Sequence, residues 1–280
     1  MLWPRAYVMA WRSGRPRPGT SELRTVQLMI SRLFSPAAGR RLLPVALLAA
    51  TALSACAPSK GPGVINDPYE KQNRENHAVN VALDSHLIKP ASQAYGRVLP
   101  GPVRAGVSNF AGNLSLPSYV MNDILQAKVG DAAQNTLRFA FNTVFGLGGI
   151  FDPAGALGLH AKSTDFGATL ATWGVREGAY LEVVVLGPTT ERDLAGTVVD
   201  AVTNPVMFLL PNVPRGYPIG VKVGSALGNR YKYNDLVDSV LHDSADSYAQ
   251  GRLIYLEKRH YELGQKPPAA NDPYEDPYAN

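Results

Sequence analysis

The sequence holds a single cysteine, Cys56, in 280 residues. No intramolecular disulfide can form, so the fold must be held by packing and hydrogen bonding alone. It also lacks the run of about 20 apolar residues that a membrane-crossing helix needs; the apolar stretch at 42–55 (LLPVALLAATALSA) is too short. The five histidines, His77, His86, His160, His242 and His260, include no pair at the i, i+4 spacing of a zinc helix. Each reads as a surface or interface imidazole. The glycines at 146–149 lack the lysine and hydroxyl residue of a phosphate loop and follow a helical pattern rather than a strand. A Gly-x-Ser-x-Gly elbow for a lipase is missing too. The sequence therefore assigns no catalytic residue, no metal ligand and no cofactor.

Positive charge is scarce once the N-terminal segment is set aside. The net charge of +4 and pI near 9.1 invite a nucleic-acid reading. Eight arginines precede Cys56 against one acid, Glu22, leaving 19 bases and 22 acids beyond it. A net acidic chain offers no footprint for a phosphate backbone, and nucleic acid is excluded as a partner. The basic N-terminal portion and the run at 42–55 fit a secretory leader. The run ends in Leu53-Ser54-Ala55-Cys56, which resembles the bacterial lipobox, whose cysteine is acylated and becomes the mature N-terminus. Met29 opens a conventional leader, so the start is expected there. Ala57 stands where aspartate would retain a lipoprotein at the inner membrane, which points to the outer membrane.

Beyond a short tether, proline punctuates a series of helical patterns. Residues 73–88 carry Val79, Leu83 and Leu87 on one face and are predicted to stop at Lys89-Pro90. Pro100 and Pro102 open a second helix bearing Val103, Val107 and Phe110. Pro117-Ser118 is predicted to start a third, with Met121, Ile124 and Leu125, and a fourth spans 131–145 with Leu137, Phe141 and Val144 together. A short helix is expected at 165–173 and a strand at 181–186 ended by Gly187-Pro188. Thr189 or Thr190 caps a helix through Val202, with Glu191 and Asp193 in its first turn. Asp165, Asp193 and Asp246 read as helix-start or turn residues. The stretch 205–210 (PVMFLL) is a membrane-facing insertion or core. Two long helices at 221–241 and 244–263 close the domain. Asn66 to Glu70 recurs at 271–275, read as chance in a biased tail. Many of these helices are too short to be stable alone in water.

Taken in order, these landmarks resemble the MlaA/VacJ family. Asn66-Asp67-Pro68-Tyr69-Glu70 with Asn73-Arg74 is similar to its opening motif, and Asn80, Leu83-Asp84 and Lys89-Pro90 continue it. The most specific block is Pro102-Val103-Arg104, Gly106-Val107-Ser108-Asn109-Phe110 and Asn113-Leu114. Asn122, Leu125-Gln126, Phe139, Asn142-Thr143, Gly146, Gly148-Gly149 and Asp152 follow. Asp165-Phe166-Gly167, Thr169-Leu170, Trp173-Gly174-Val175, Arg192-Asp193, Asp246, Tyr248, Arg252 and Tyr255 complete the series. The chain departs from the family at Gly178-Ala179-Tyr180, where Gly-Pro-Tyr is frequent, at Val183-Val184, where a leucine-proline pair is frequent, and at Asp246-Ser247-Tyr248, where Asp-Pro-Tyr is frequent.

The resemblance implies a mainly α, membrane-associated fold, a ring of short amphipathic helices around a channel, with a disordered leader and tail. Its divisions are a leader at 1–55, a lipidated tether at 56–65, a helical domain at 66–263 and a tail at 264–280. It implies a non-catalytic lipoprotein, anchored through Cys56 on the periplasmic side of the outer membrane, that removes mislocalised phospholipid from the outer leaflet. The implied partners are phospholipid, a periplasmic carrier (MlaC) and a trimeric porin. The alternatives are a periplasm-facing phospholipase or esterase, and a lipoprotein that only anchors a porin.

Overall fold

A computed structural model of the chain describes residues 65–206 and 216–265. Cys56, the leader, most of the tether, residues 207–210 of the apolar stretch and the tail beyond Gln265 lie outside the described residues.

Helix α1 (Glu70–Leu83) passes through one π turn (Asp84–Ile88) into α2 (Lys89–Val98). The predicted stop at Lys89-Pro90 is thus corrected. A widened turn, with the Lys89 N–H donating to the Asp84 carbonyl, carries the chain across a proline that would clash within a regular helix. The real stop is Leu99, which turns extended (ψ 126°) ahead of Pro100. Helix α3 (Gly101–Leu125) runs straight through Pro117, so the two helices expected there are one. Proline within a helix costs about 3 kcal/mol. Buried Leu114 and Leu116 and the interior amides of Asn113 and Asn122 on the same helix offset it.

Helix α4 (Val129–Phe145) packs along α3 and ends in the glycine turn, where Gly149 (φ 102°) lies against Asn113. Short α5 (Pro153–Ala156) and α6 (Phe166–Thr172) are capped by Asp152 and Asp165, whose carboxylates accept from Gly155 N and Ala168 N. The single strand expected at 181–186 is a hairpin instead: β1 (Tyr180–Val183) pairs antiparallel with β2 (Gly187–Thr190), Tyr180 opposite Thr190. Val185 in the turn and Gly187 at the start of β2 adopt left-handed backbone (φ 75° and 79°), which a continuous strand cannot contain. Thr190 caps α7 (Glu191–Thr203) through its hydroxyl. The long helix expected at 221–241 is two, α8 (Gly216–Lys232) and α9 (Asn234–Leu241), divided at Tyr233. Helix α10 (Ser247–Glu262) is capped by Asp246.

The apolar periodicities are real, but their direction is inverted. Among the described residues nineteen polar or charged side chains are buried against twelve apolar ones, five of those alanine. On α4 the interior face is Ala132, Asn135 and Asn142, while Leu137, Val144 and Phe145 are 61–69% exposed. On α1 and the π turn Asn73, His77 and Asp84 point inward and Val79 and Leu87 outward. Ile124 and Leu125 flank buried Asn122, Asp123 and Gln126 in the same manner.

The interior is therefore joined by side-chain hydrogen bonds. Asn73, Asn76 and Asn80 dock α1 on β1 by donating to the carbonyls of Tyr180, Glu182 and Val183 at 2.8–3.1 Å. Asn122 donates to Asp200 and accepts from Thr169, joining α3, α6 and α7. No described helix is long and apolar enough to cross a membrane.

Candidate functional site

Two helix-start acids read separately in the sequence meet at one arginine. Arg259 on α10 donates from both terminal nitrogens to Asp165 (2.7 and 2.8 Å) and from Nε and Nη2 to Asp193 (2.9 Å each). The Tyr255 hydroxyl donates to Asp193 at 2.7 Å. Burial opposes ionisation of Asp193, but the Arg259 fork overcomes it and holds the carboxyl below its ordinary range. The Tyr255 hydroxyl is pushed up by burial and by the same carboxylate. The arrangement depends on two glycines: a Cβ on Gly196 would lie 2.3 Å from the Gly167 nitrogen, so α6 and α7 cross backbone to backbone. Sequence reasoning identified the acids by their cap positions and missed Arg259, whose partners lie 66 and 94 residues away.

This cluster forms one wall of a cavity of about 500 Å³. Tyr119 of α3, the α6 cap Asp165 and Ala168 of α6, Thr189 of β2 and Asp193 and Thr197 of α7 line it, with Lys258, Arg259 and Glu262 of α10. Leu186, Leu194 and Leu263 give it apolar surface, and burial pushes the Tyr119 hydroxyl up. Charged groups and aliphatic surface share one concavity, as an amphiphile requires.

One Ser–His–acid line does form elsewhere. His77 Nε2 lies 3.0 Å from Ser247 Oγ, and Nδ1 lies 3.4 Å from Glu182 Oε1. Glu182 also accepts from Tyr180 and Asn80, and Ser247 lies in the first turn of α10, outside that cavity. The line fastens α1, the hairpin and α10 together. Of the five histidines read as surface or interface imidazoles, His77 and His260 are buried where elements meet; the His260 ring meets Glu177 at 2.9 Å. Asp84, Asp238 and His242 bring three ligand atoms within 4.8 Å of one another. Arg230 donates to both carboxylates and Lys89 lies 2.8 Å from Asp238, so cations already occupy the carboxylate oxygens a metal would need.

Two departures from the family pattern each supply a donor that proline lacks. Ala179 N–H donates to Glu191 at 3.0 Å, and the Ser247 hydroxyl meets His77.

Comparison with known proteins agrees with the landmarks. The profile of the family described as MlaA lipoprotein matches residues 65–262. An uncharacterized protein of Rickettsia felis is 35% identical over 185 residues, 66% of this chain and 72% of its own length. The intermembrane phospholipid transport system lipoprotein MlaA of Escherichia coli K12 is 31% identical over 201 residues, 70% of this chain and 78% of its own length. A solved structure described as the structural basis for maintenance of bacterial outer membrane lipid asymmetry superposes with a TM-score of 0.63 at 29% identity. The match covers 70% of this chain and 98% of that one. The profile spans the whole run of described elements from Ile65 to Glu262, and the chain belongs to the MlaA lipoprotein family.

Proposed function

We propose that this protein is an outer-membrane lipoprotein, anchored by acylation of Cys56, that takes mislocalised phospholipid from the outer leaflet and delivers it to a periplasmic carrier of the MlaC kind beside a trimeric porin. The observation that carries the reading is the inversion of polarity. Apolar side chains such as Leu137, Phe145, Phe151, Leu157 and Val202 face outward at 58–74% exposure over an interior of hydrogen-bonded amides and ion pairs. A domain so arranged gains stability by seating its outer surface in lipid, without any spanning helix. A polar interior lets a charged headgroup pass without entering hydrocarbon, where an isolated charge costs several kcal/mol or more. The ring and channel implied by the family resemblance fit this division. The names of the relatives support transport in place of hydrolysis.

The test is impermeant labelling of surface phospholipid in cells with and without the gene. Deletion should raise labelled phospholipid, and complementation should restore it. Unchanged labelling on deletion would leave only a porin-anchoring role. Separately, mass spectrometry of the membrane-extracted protein should find Cys56 as an acylated N-terminal residue, and a Cys56→Ala chain should leave the membrane fraction on high-salt washing only if the embedded surface alone does not hold it. An unmodified Cys56 would overturn the anchor.

A further inference from the structure

A second cavity, of about 850 Å³, lies between α2, α3 and α8. Three cations line it, Arg97, Arg104 and Lys232, and no carboxylate does. Arg74, Arg138, Arg230, Arg252, Arg259 and Lys89 each meet a carboxylate, and the sequence beyond Cys56 carries more acids than bases. Among the described residues none of the three cavity cations lies within ion-pair distance of a carboxylate.

The cations are also oriented. Arg104 Nε donates to the Leu99 carbonyl at 3.1 Å, and its guanidinium lies over the Tyr231 ring at 4.7 Å. Tyr231 reaches that place because Gly96 has no Cβ; one there would stand 2.2 Å from the ring. Lys232 lies over Tyr233 at 5.1 Å. The rest of the wall is small or neutral and polar, including Gly228, Ser108, Ser225 and Asn229, which leaves room beside the charges.

We infer that this cavity is a seat for a phosphate-ester headgroup of net negative charge, one that prefers an anionic phospholipid over a zwitterionic one. The inference rests on the transport reading and specifies its cargo. Three positive charges without a carboxylate complement a phosphodiester, and guanidinium groups match its oxygens in pairs. A zwitterionic headgroup would bring an ammonium or choline into the same field with nothing to receive it, an uncompensated repulsion that discriminates between the two classes. The neutral amides and hydroxyls suit a glycerol headgroup.

The experiment uses the full acylated protein in detergent and titrates short-chain phosphatidylglycerol against phosphatidylcholine of the same chain length, with inorganic phosphate and glycerol phosphate as further arms. The wild type should bind the anionic lipid about tenfold more tightly. R97Q/K232Q replaces two exposed side chains and should reduce that ratio about fivefold, while R97K/K232R should keep it. Equal binding of the two lipids by the wild type, or an undiminished ratio in the glutamine variant, would overturn the inference. Glycerol phosphate or phosphate binding as tightly as the lipid would assign the site to a free phosphate ester in place of a lipid headgroup. Absent headgroup preference with deletion-dependent surface phospholipid sinks this inference alone; intact preference with unchanged surface phospholipid sinks the transport reading alone.

Discussion

Arg259→Met is expected to destabilise the domain by about 3 kcal/mol, because it takes the forked cation from the buried Asp193 carboxylate and leaves only Arg192 beside it, at 3.2 Å. The loss comes from the Asp193 side of the fork. Asp165 is 44% exposed at its side chain and contributes little through that ion pair. For a domain of this size the melting temperature should fall by roughly 6–12 °C. Removing both charges in R259M/D193N should recover part of it, since much of the cost lies in the carboxylate that Arg259 no longer neutralises.

The pH dependence separates the two states. In the wild type Asp193 and Asp84 titrate below the ordinary carboxylate range, each buried but more than compensated by an arginine fork. A depressed carboxyl contributes stability that is complete above its unfolded value near 4 and is lost as pH falls through the folded value. The wild type should therefore lose stability on acidification below about pH 4. In R259M the burial of Asp193 is opposed chiefly by Arg192 at 3.2 Å and the Tyr255 hydroxyl, so its carboxyl rises and its share of the acid sensitivity shrinks: the variant should lose less stability on acidification than the wild type. Thermal scans between neutral and weakly acidic pH read this directly. A parallel decline in wild type and variant would show that Arg259 does not govern Asp193.

Gly196→Ala is expected to cost about 2–3 kcal/mol, against the usual trend. Within a helix, alanine in place of glycine ordinarily gains up to about 1 kcal/mol. Here the new methyl would stand 2.3 Å from the nitrogen and 2.6 Å from the Cα of Gly167. Those are backbone atoms that cannot swing aside, so α6 must move away from α7, and Asp165 moves with it away from Arg259. Gly112 and Gly251 are also helical, and a Cβ on either meets nothing within 4 Å. Gly112→Ala and Gly251→Ala should be neutral or stabilising. Chemical denaturation of the three variants gives the comparison, and a stabilised Gly196→Ala protein would contradict the close crossing.

What could be read from the chain was its local chemistry. The caps at Asp165, Thr190 and Asp246 follow from short acceptors ahead of helical patterns, and the family landmarks from their fixed order. Helix boundaries failed wherever proline was taken as a stop. Pro90 is absorbed by a π turn and Pro117 by the packing of α3, and neither is encoded within a few residues of the proline. The hairpin was missed because its turn uses Val185 in a left-handed conformation that valine seldom adopts. On α1 and α4 periodicity marked the two faces but carries no sign for which medium receives the apolar one. For the same reason the cation-lined cavity was not visible: Arg97, Arg104 and Lys232 come from three helices, and their lack of carboxylate neighbours is a property of the assembled chain.

The inverted polarity also constrains how such a sequence can diverge. An outward leucine need only be aliphatic, so valine, isoleucine, methionine or phenylalanine serve nearly as well in its place. An inward Asn73, Asn122, Asn135 or Asn142 both donates and accepts across a fixed span, and no other side chain of its length does both. Interior aliphatic positions tolerate exchange in most proteins; here the interior amides fix the register of the helices, and drift is left to the surface.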